Sequence, residues 1–239
     1  MHLSIIITSY NYEKYVLNSV ESCLNQQTDY NYELIIVDDG SDDSTRSLLE
    51  KYKNKCKLIT LSNSGVEVAS NIAIQETSSS YFVRVDADDF LKPNFVQNSV
   101  DYLSDKDLDF SYSNYSLVDE DNKIIEDSDL PEFDAQEILS RGDFLATGTI
   151  YKKSTFLNYR GYDESKKNCG LENFDIILRM ILDGRRGELN PSNLFSYRLH
   201  SKSMSSERRS SIIQYGQELF LKLSIGKYRT NEYHPYKLV

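Results

Sequence analysis

The stretch Tyr81-Phe82-Val83-Arg84-Val85-Asp86-Ala87-Asp88-Asp89-Phe90 decides how this chain is read. Its first half is aromatic and β-branched, the composition of a buried strand. Its second half crowds the carboxylates Asp86, Asp88 and Asp89 together. Like charges so close are costly in a folded protein unless solvent or a cation offsets them. Oxygen ligands at i and i+2 suit a hard divalent ion, Mg2+ or Mn2+. A bare Asp-x-Asp is equally the composition of a solvated acidic turn, because Asp is a common turn residue. The surrounding chain has to decide between the two.

Working outward, three earlier apolar runs precede this strand. Leu3 to Thr8 is continuously apolar over a strand length, as expected of a buried parallel strand. Tyr32 to Val37 is a second run, ending in Asp38-Asp39-Gly40-Ser41, and Lys57 to Leu61 is a third. Between them, Tyr12, Tyr15, Val16, Ser19, Val20, Cys23 and Leu24 recur at helical spacing. Asp42-Asp43-Ser44 offers capping side chains to a helix carrying Leu48, Leu49 and Tyr52. Val68, Ala69, Ile72 and Ala73 predict one face of a third helix. Strands alternating with helices predict a parallel sheet with right-handed crossovers. Ligands of such sheets bind beyond the carboxyl ends of the strands. The loops Thr8–Asn11, Asp38–Ser41 and Asp86–Asp89 lie there together. No G-x-G-x-x-G and no G-x-x-x-x-G-K-[ST] is present, which disfavours a dinucleotide site and a P-loop.

Beyond Pro93 the pattern is thinner. A helix through Phe95 to Leu103, a strand from Asp109 to Tyr115, a return hairpin at Lys123 to Glu126 and a strand over Thr147–Tyr151 are expected. The segment from about 119 to 137 is acidic and weakly patterned and reads as a mobile surface excursion. A helix begins at Leu171, its first turn holding Glu172 and Asp175, which the helix dipole favours. Asp175 and Arg179 form an i,i+4 pair. Phe195 to Leu199 is a strand that delivers His200, and a C-terminal helix carries Ile212, Ile213, Leu219, Phe220 and Leu223.

The 239 residues suffice for one large domain or two small ones. No apolar run reaches the roughly 18 residues of a membrane span. No secretion signal is visible at the N-terminus, and Cys23, Cys56 and Cys169 are few and scattered. Both observations favour a cytoplasmic protein with reduced thiols. The net charge of −10 argues against nucleic-acid binding. That charge is uneven: residues 198–239 hold eight Lys/Arg against three Asp/Glu. Such a segment suits an anionic diphosphate or lipid headgroup and allows peripheral association with a membrane face, and it is equally an ordinary solvated helix.

Six short stretches now fall into the order of a known family. They are Ser4-Ile5-Ile6-Ile7-Thr8-Ser9-Tyr10-Asn11, Ile35-Ile36-Val37-Asp38-Asp39-Gly40-Ser41, Gly65 with Ala69-Ser70-Asn71, Val85-Asp86-Ala87-Asp88-Asp89, Gly170-Leu171-Glu172-Asn173-Phe174-Asp175 with Leu178-Arg179, and Tyr197-Arg198-Leu199-His200. The chain resembles the inverting glycosyltransferase family 2, of GT-A fold. The resemblance implies a Rossmann-like mixed α/β sheet, mostly parallel, flanked by helices. It implies a GT-A domain over 1–205, with 1–104 holding the nucleotide-sugar and 105–205 the acceptor, and a C-terminal helix and tail over 206–239.

By the same resemblance Thr8, Tyr10 and Asp39 line the nucleotide pocket, Asn71 belongs to the donor contacts, Asp86 meets the ribose or sugar, and Asp88 and His200 hold Mn2+ or Mg2+. The family's base is the Asp of a Glu-Asp pair; this chain has Glu172-Asn173, and an amide takes no proton at neutral pH. Glu172 is therefore the first candidate for the base and Asp175 the second. Ser70 stands where many relatives have an Arg that helps hold the donor. The implied enzyme is a metal-dependent inverting hexosyltransferase that moves a sugar from a nucleotide-diphosphate donor, a uridine one, to a glycan or lipid-linked glycan in surface polysaccharide assembly. Two other readings remain open at this stage: a catalytically impaired relative that only binds nucleotide-sugar, and a nucleotidyltransferase.

Overall fold

The computed structural model describes residues 3–141, 145 and 148–230. Thr147 in the expected strand, and the end of the C-terminal tail, lie outside the described residues. One mixed sheet organises the chain, in the order β3-β2-β1-β4-β8-β6-β9-β5 with β7 paired to β6. The strands are β1 (Leu3–Ser9), β2 (Tyr32–Asp38), β3 (Lys57–Thr60), β4 (Tyr81–Asp86), β5 (Phe90–Leu91), β6 (Phe110–Val118), β7 (Ile124–Ser128), β8 (Ile150–Lys152) and β9 (Gly187–Arg198). β1 pairs in parallel with both β2 and β4, and β2 with β3. β8 runs antiparallel to β4 and β6, after which β9 resumes the parallel direction beside β6. The expected GT-A-type sheet, mixed and mostly parallel, is what forms.

The continuous apolar runs of β1 and β2 are explained by burial on both faces. Ile5 and Ile7 point into one cluster with α1 (Val16–Leu24) and α4 (Phe95–Leu103). Ile6 and Phe82 point into the other, with α3 (Val66–Glu76), α6 (Lys153–Asn158), α7 (Glu172–Leu182) and α9 (Arg209–Leu223). The short helices α2 (Thr45–Leu49), α5 (Ala135–Arg141) and α8 (Met204–Glu207) complete the set. Asp43 serves the start of α2 as the sequence suggests, its Oδ1 accepting from the Thr45 backbone N–H at 2.9 Å.

Several local expectations are corrected. The segment 119–137 is not a loose excursion: β7 zips onto β6, Leu130 is buried, and α5 begins at Ala135. β9 starts eight residues earlier than the apolar pattern suggests, at Gly187. Pro191 hides it, since proline cannot donate to a ladder. The register shifts around Asn114 let the proline bulge out, and the Asn114 amide donates to the Pro191 carbonyl at 3.0 Å. In α3 the inward face is Glu67, Ala69, Ser70, Ala73 and Ile74 rather than one built on Val68 and Ile72. The helix is turned so that Glu67 reaches the backbone amides of Asn168 and Cys169, at 2.8 and 2.7 Å.

Phe82 is fully buried, stacked on Tyr151 at 5.6 Å and edge-on to Phe156 at 4.9 Å. Phe82→Ala should lower stability by about 3–5 kcal/mol, the usual cost of emptying such a site. Urea unfolding followed by circular dichroism measures it; a loss below about 1 kcal/mol would show that the cluster is not the keystone of this face.

Candidate active site

Strand register fixes the site. Thr8 lies opposite Val37 and Asp86, and Ser9 opposite Asp38, so β1, β2 and β4 end in one row. Tyr10, just beyond β1, is 38% exposed, an aromatic face left open to a stacking partner. The Thr8 hydroxyl and Asp38 Oδ2 are buried without a hydrogen-bond partner. Asp39 is buried and uses both oxygens: Oδ1 accepts from Ser64 N–H at 2.6 Å and Oδ2 from Gly65 N–H at 2.7 Å. Gly65 sits at φ +104°, open to glycine and strained for other residues, and this presents its N–H ahead of α3. Asp39 therefore joins the β2 end to the head of α3, and each of its oxygens keeps a second lone pair.

The acidic stretch divides its labour. Asp89 is buried and its Oδ1 accepts from the Arg198 N–H at 2.8 Å. The Arg198 side chain donates to the Asp88 carbonyl at 2.7 Å, to Asn18 Oδ1 at 2.8 Å and to the carbonyls of Asp119 and Glu120. It also lies over the Tyr15 ring at 4.7 Å. Asp88 points elsewhere, its Oδ2 2.9 Å from His200 Nε2. His200 is packed between Tyr12 and Tyr15, with ring centroids 6.4 and 4.8 Å away. The Tyr12 hydroxyl is pushed well above its ordinary range by burial, then by the negative charges of Asp88, Asp86 and Asp89.

Asp86 keeps 32% of its side chain in solvent and lies 3.3 Å from Arg84 Nη2. Burial pushes its carboxyl up to about 7; Arg84 opposes this, while Asp88 and Glu172 add to it. The donor set, the Asp88 carboxylate with the His200 imidazole 2.9 Å away and Asp86 beside them, is one that a divalent ion fits.

Glu172 heads α7 and is buried. Its Oε1 accepts from Arg84 Nη2 at 2.7 Å, and its Oε2 is buried with no partner. One carboxylate oxygen of Glu172, one of Glu67 and the Cys169 sulfur lie within 4.8 Å of one another. The Cys169 thiol is raised, first by burial and then by Glu172, so it is a neutral wall rather than a thiolate.

The structure does not bring every sequence candidate to the strand ends. Asp175 is buried and salt-bridged to Arg179 at 2.8 Å, and Arg179 in turn donates to the carbonyls of Tyr159 and Gly161. Asn71 holds the same turn, its amide donating to the Tyr162 carbonyl and Glu164 and its Oδ1 accepting from Tyr162 N–H. Asn173 accepts from the Tyr162 hydroxyl at 2.7 Å. Sequence reasoning passed over Arg84, Glu67 and Arg198. Arg84 had a signal: an arginine inside an apolar strand requires a buried carboxylate partner.

The sheet order, with parallel strands ending in carboxylates and a carboxylate-headed helix tied to them, is that of a GT-A-type fold. The chain belongs to glycosyl transferase family 2, whose family model matches residues 4–169. It is 28% identical over 249 residues to the O-antigen biosynthesis glycosyltransferase WbnJ of Escherichia coli, covering 97% of this chain and 94% of that one. It is 28% identical over 235 residues to a chondroitin synthase of Escherichia coli, covering 95% of this chain and only 34% of the relative. The chain thus spans about a third of that relative's length. Among solved structures, S. aureus TarS in complex with UDP-GlcNAc superposes with TM-score 0.74 at 19% identity, covering 93% of this chain and 66% of TarS. The mannosyltransferase PcManGT of Pyrobaculum calidifontis, in complex with GDP-Man and Mn2+, gives TM-score 0.70 at 15% identity, covering 98% of this chain and 67% of that one.

The Asp86 shift has a measurable consequence. The folded value of about 7 exceeds the roughly 4 of an unfolded Asp. The folded protein therefore keeps a proton that the unfolded chain gives up. The stability from this group is full below about pH 4 and is lost as pH rises through 7. In metal-free buffer the urea midpoint of the wild type should fall relative to Asp86→Asn between pH 5 and 7. Parallel curves for the two proteins would show that Asp86 ionises in the ordinary carboxylate range.

Proposed function

We propose that this chain transfers a sugar from a uridine-diphosphate donor to a hydroxyl of a glycan or lipid-linked glycan, with inversion, in the assembly of a surface polysaccharide. The observation that carries this reading is the pairing of two carboxylate centres. Asp86 and Asp88 stand at the end of β4, and Glu172 stands across Arg84 with one free oxygen. WbnJ, named for O-antigen biosynthesis, supports the substrate class, and the UDP-GlcNAc complex of TarS supports the donor class.

In this reading Tyr10 stacks on the base, Asp39 supplies a carboxylate acceptor to its one N–H, and the Thr8 hydroxyl donates to a base carbonyl. Asp86 binds the ribose or sugar. Asp88 and His200 would hold Mn2+ or Mg2+, which when bound neutralises the two phosphates as the nucleoside diphosphate leaves. Glu172 Oε2 accepts the proton of the acceptor hydroxyl. The freed oxygen pair bonds to the anomeric carbon from the face opposite the diphosphate. The carbon–oxygen bond to the phosphate breaks, its electron pair leaving with the nucleotide, so configuration inverts in one displacement. Asn71 and Asp175 act at one remove, by fixing the 159–164 turn against α3 and α7. No helix among the described residues is long and apolar enough to cross a membrane. The basic balance of residues 198–239 suits an anionic membrane face, where a lipid-linked acceptor is met.

A second reading, a nucleotide-sugar binder without transfer, is favoured by one observation, the Asn at 173. Glu172, one residue before it, argues against that reading, because its Oε2 has no hydrogen-bond partner and is a carboxylate oxygen able to take a proton. UDP release from a panel of UDP-sugars with Mn2+ tests both readings. Glu172→Gln should lower turnover by about 10²–10⁴-fold, the range for a general base. Asn173→Asp should not raise it. Activity created by Asn173→Asp in an otherwise inactive protein would establish the binding-protein reading.

The same assay checks the ion site. Asp88→Ala should reduce Mn2+-dependent turnover at least 100-fold, and calorimetry should show weakened binding of UDP in Mn2+. Wild-type turnover in that variant would remove Asp88 from the site.

A further inference from the structure

Arg84 is a charged residue flanked by the buried Phe82, Val83 and Val85 in β4. Its Nη2 lies 2.7 Å from Glu172 Oε1 and 3.3 Å from Asp86 Oδ1, so one nitrogen bridges the two halves of the site. The guanidinium lies over the Tyr162 ring at 5.4 Å. Its Nε and Nη1, like Glu172 Oε2, are buried without a hydrogen-bond partner. A charge inside an apolar strand is costly unless paired, and here the pairing runs through a single nitrogen. That nitrogen holds one oxygen of Glu172 and leaves the other unengaged.

This matters because Glu172 is longer than the aspartate that the resemblance places one residue later. A longer side chain has one more rotor to fix before its oxygen can meet an acceptor hydroxyl. Tethering Oε1 to the strand fixes that rotor. On the opposite side, Glu67 holds the Asn168 and Cys169 amides, which sets where α7 begins.

We infer that Arg84 is a positioning residue for transfer: it holds Glu172 Oε1 against the end of β4, so that Oε2 is presented to the acceptor hydroxyl. This rests on the reading of Glu172 as the base. Its role is to stand in for the acidic residue missing at 173, by bringing a glutamate at 172 to the geometry of reaction.

The test is a double-mutant cycle between Arg84 and Glu172. Turnover and donor KM are measured by UDP release with Mn2+ and water as acceptor, using whichever of UDP-glucose, UDP-galactose, UDP-GlcNAc and UDP-GalNAc is hydrolysed. UDP affinity is measured by calorimetry. Arg84→Met should lower kcat by about 50-fold or more while donor KM and UDP affinity stay within about threefold. Arg84→Lys, which keeps the charge, should recover about tenfold of that loss. Adding Arg84→Met to Glu172→Gln should cost less than about threefold more. An equal loss in both backgrounds overturns the inference and leaves Glu172 as base intact. A parallel loss of kcat and UDP affinity that Arg84→Lys does not relieve also overturns it. Wild-type turnover in Glu172→Gln alone overturns the base reading and this inference with it. Should Arg84→Met fail to fold, the same cycle run with Arg84→Lys decides: a loss in the wild-type background that vanishes in Glu172→Gln supports the inference, and equal losses reject it.

Discussion

Everything in the site hangs on the parallel register of β1 between β2 and β4. Because Thr8 pairs with both Val37 and Asp86, three loops leave the sheet at one level. The hydrogen-bonded ladder leaves no freedom in that arrangement, and a slip of one residue would turn every core side chain to the other face. Ile5 and Ile7 belong to one cluster and Ile6 to the other, so a slip would be opposed by both. The site is therefore held by the least deformable part of the molecule.

On that row the structure adds two arginines with different duties. Arg198 acts on backbone: it gathers the carbonyls of Asp88, Asp119 and Glu120 and the side chain of Asn18 around one guanidinium. This holds the acidic turn open at the strand end while Asp89 takes the Arg198 amide. Arg84 acts on side chains, joining Asp86 to Glu172. Arg84 is buried between two carboxylates, where removing one partner is far more costly than keeping the pair. An acidic cluster that looks self-repelling in the sequence is thus divided among three partners: Arg84 for Asp86, His200 for Asp88 and the Arg198 amide for Asp89.

The helix side of the site is set by a chain of buried polar contacts. Glu67 in α3 holds the amides ahead of α7, and Asn71, one turn further on, holds the Tyr162 backbone. Asn173 then accepts from the Tyr162 hydroxyl, and Arg179 closes the turn onto Asp175. Each bond is local and modest, and together they satisfy buried groups that would be costly alone. They explain why α3 turns Glu67 inward when apolar periodicity would have placed Val68 and Ile72 there.

The sequence by itself determined the parallel half of the sheet, the row of polar loops and the chain's membership of a glycosyltransferase family. Those features are local: continuous apolar runs, helical spacing and acidic residues at strand ends follow from the chemistry of neighbouring residues. It missed β9 before Phe195, because Pro191 breaks the pattern and only a bulge against β6 restores the pairing. It grouped Asn71 and Asp175 with the working residues, while the fold commits them to the 159–164 turn. The tertiary structure alone decided which carboxylates meet which cations. Arg84 and Glu172 are 88 residues apart, and only the closing of α7 over the end of β4 brings them to hydrogen-bonding distance. Partner choice among buried charges depends on approach in space, and no spacing along a chain encodes it.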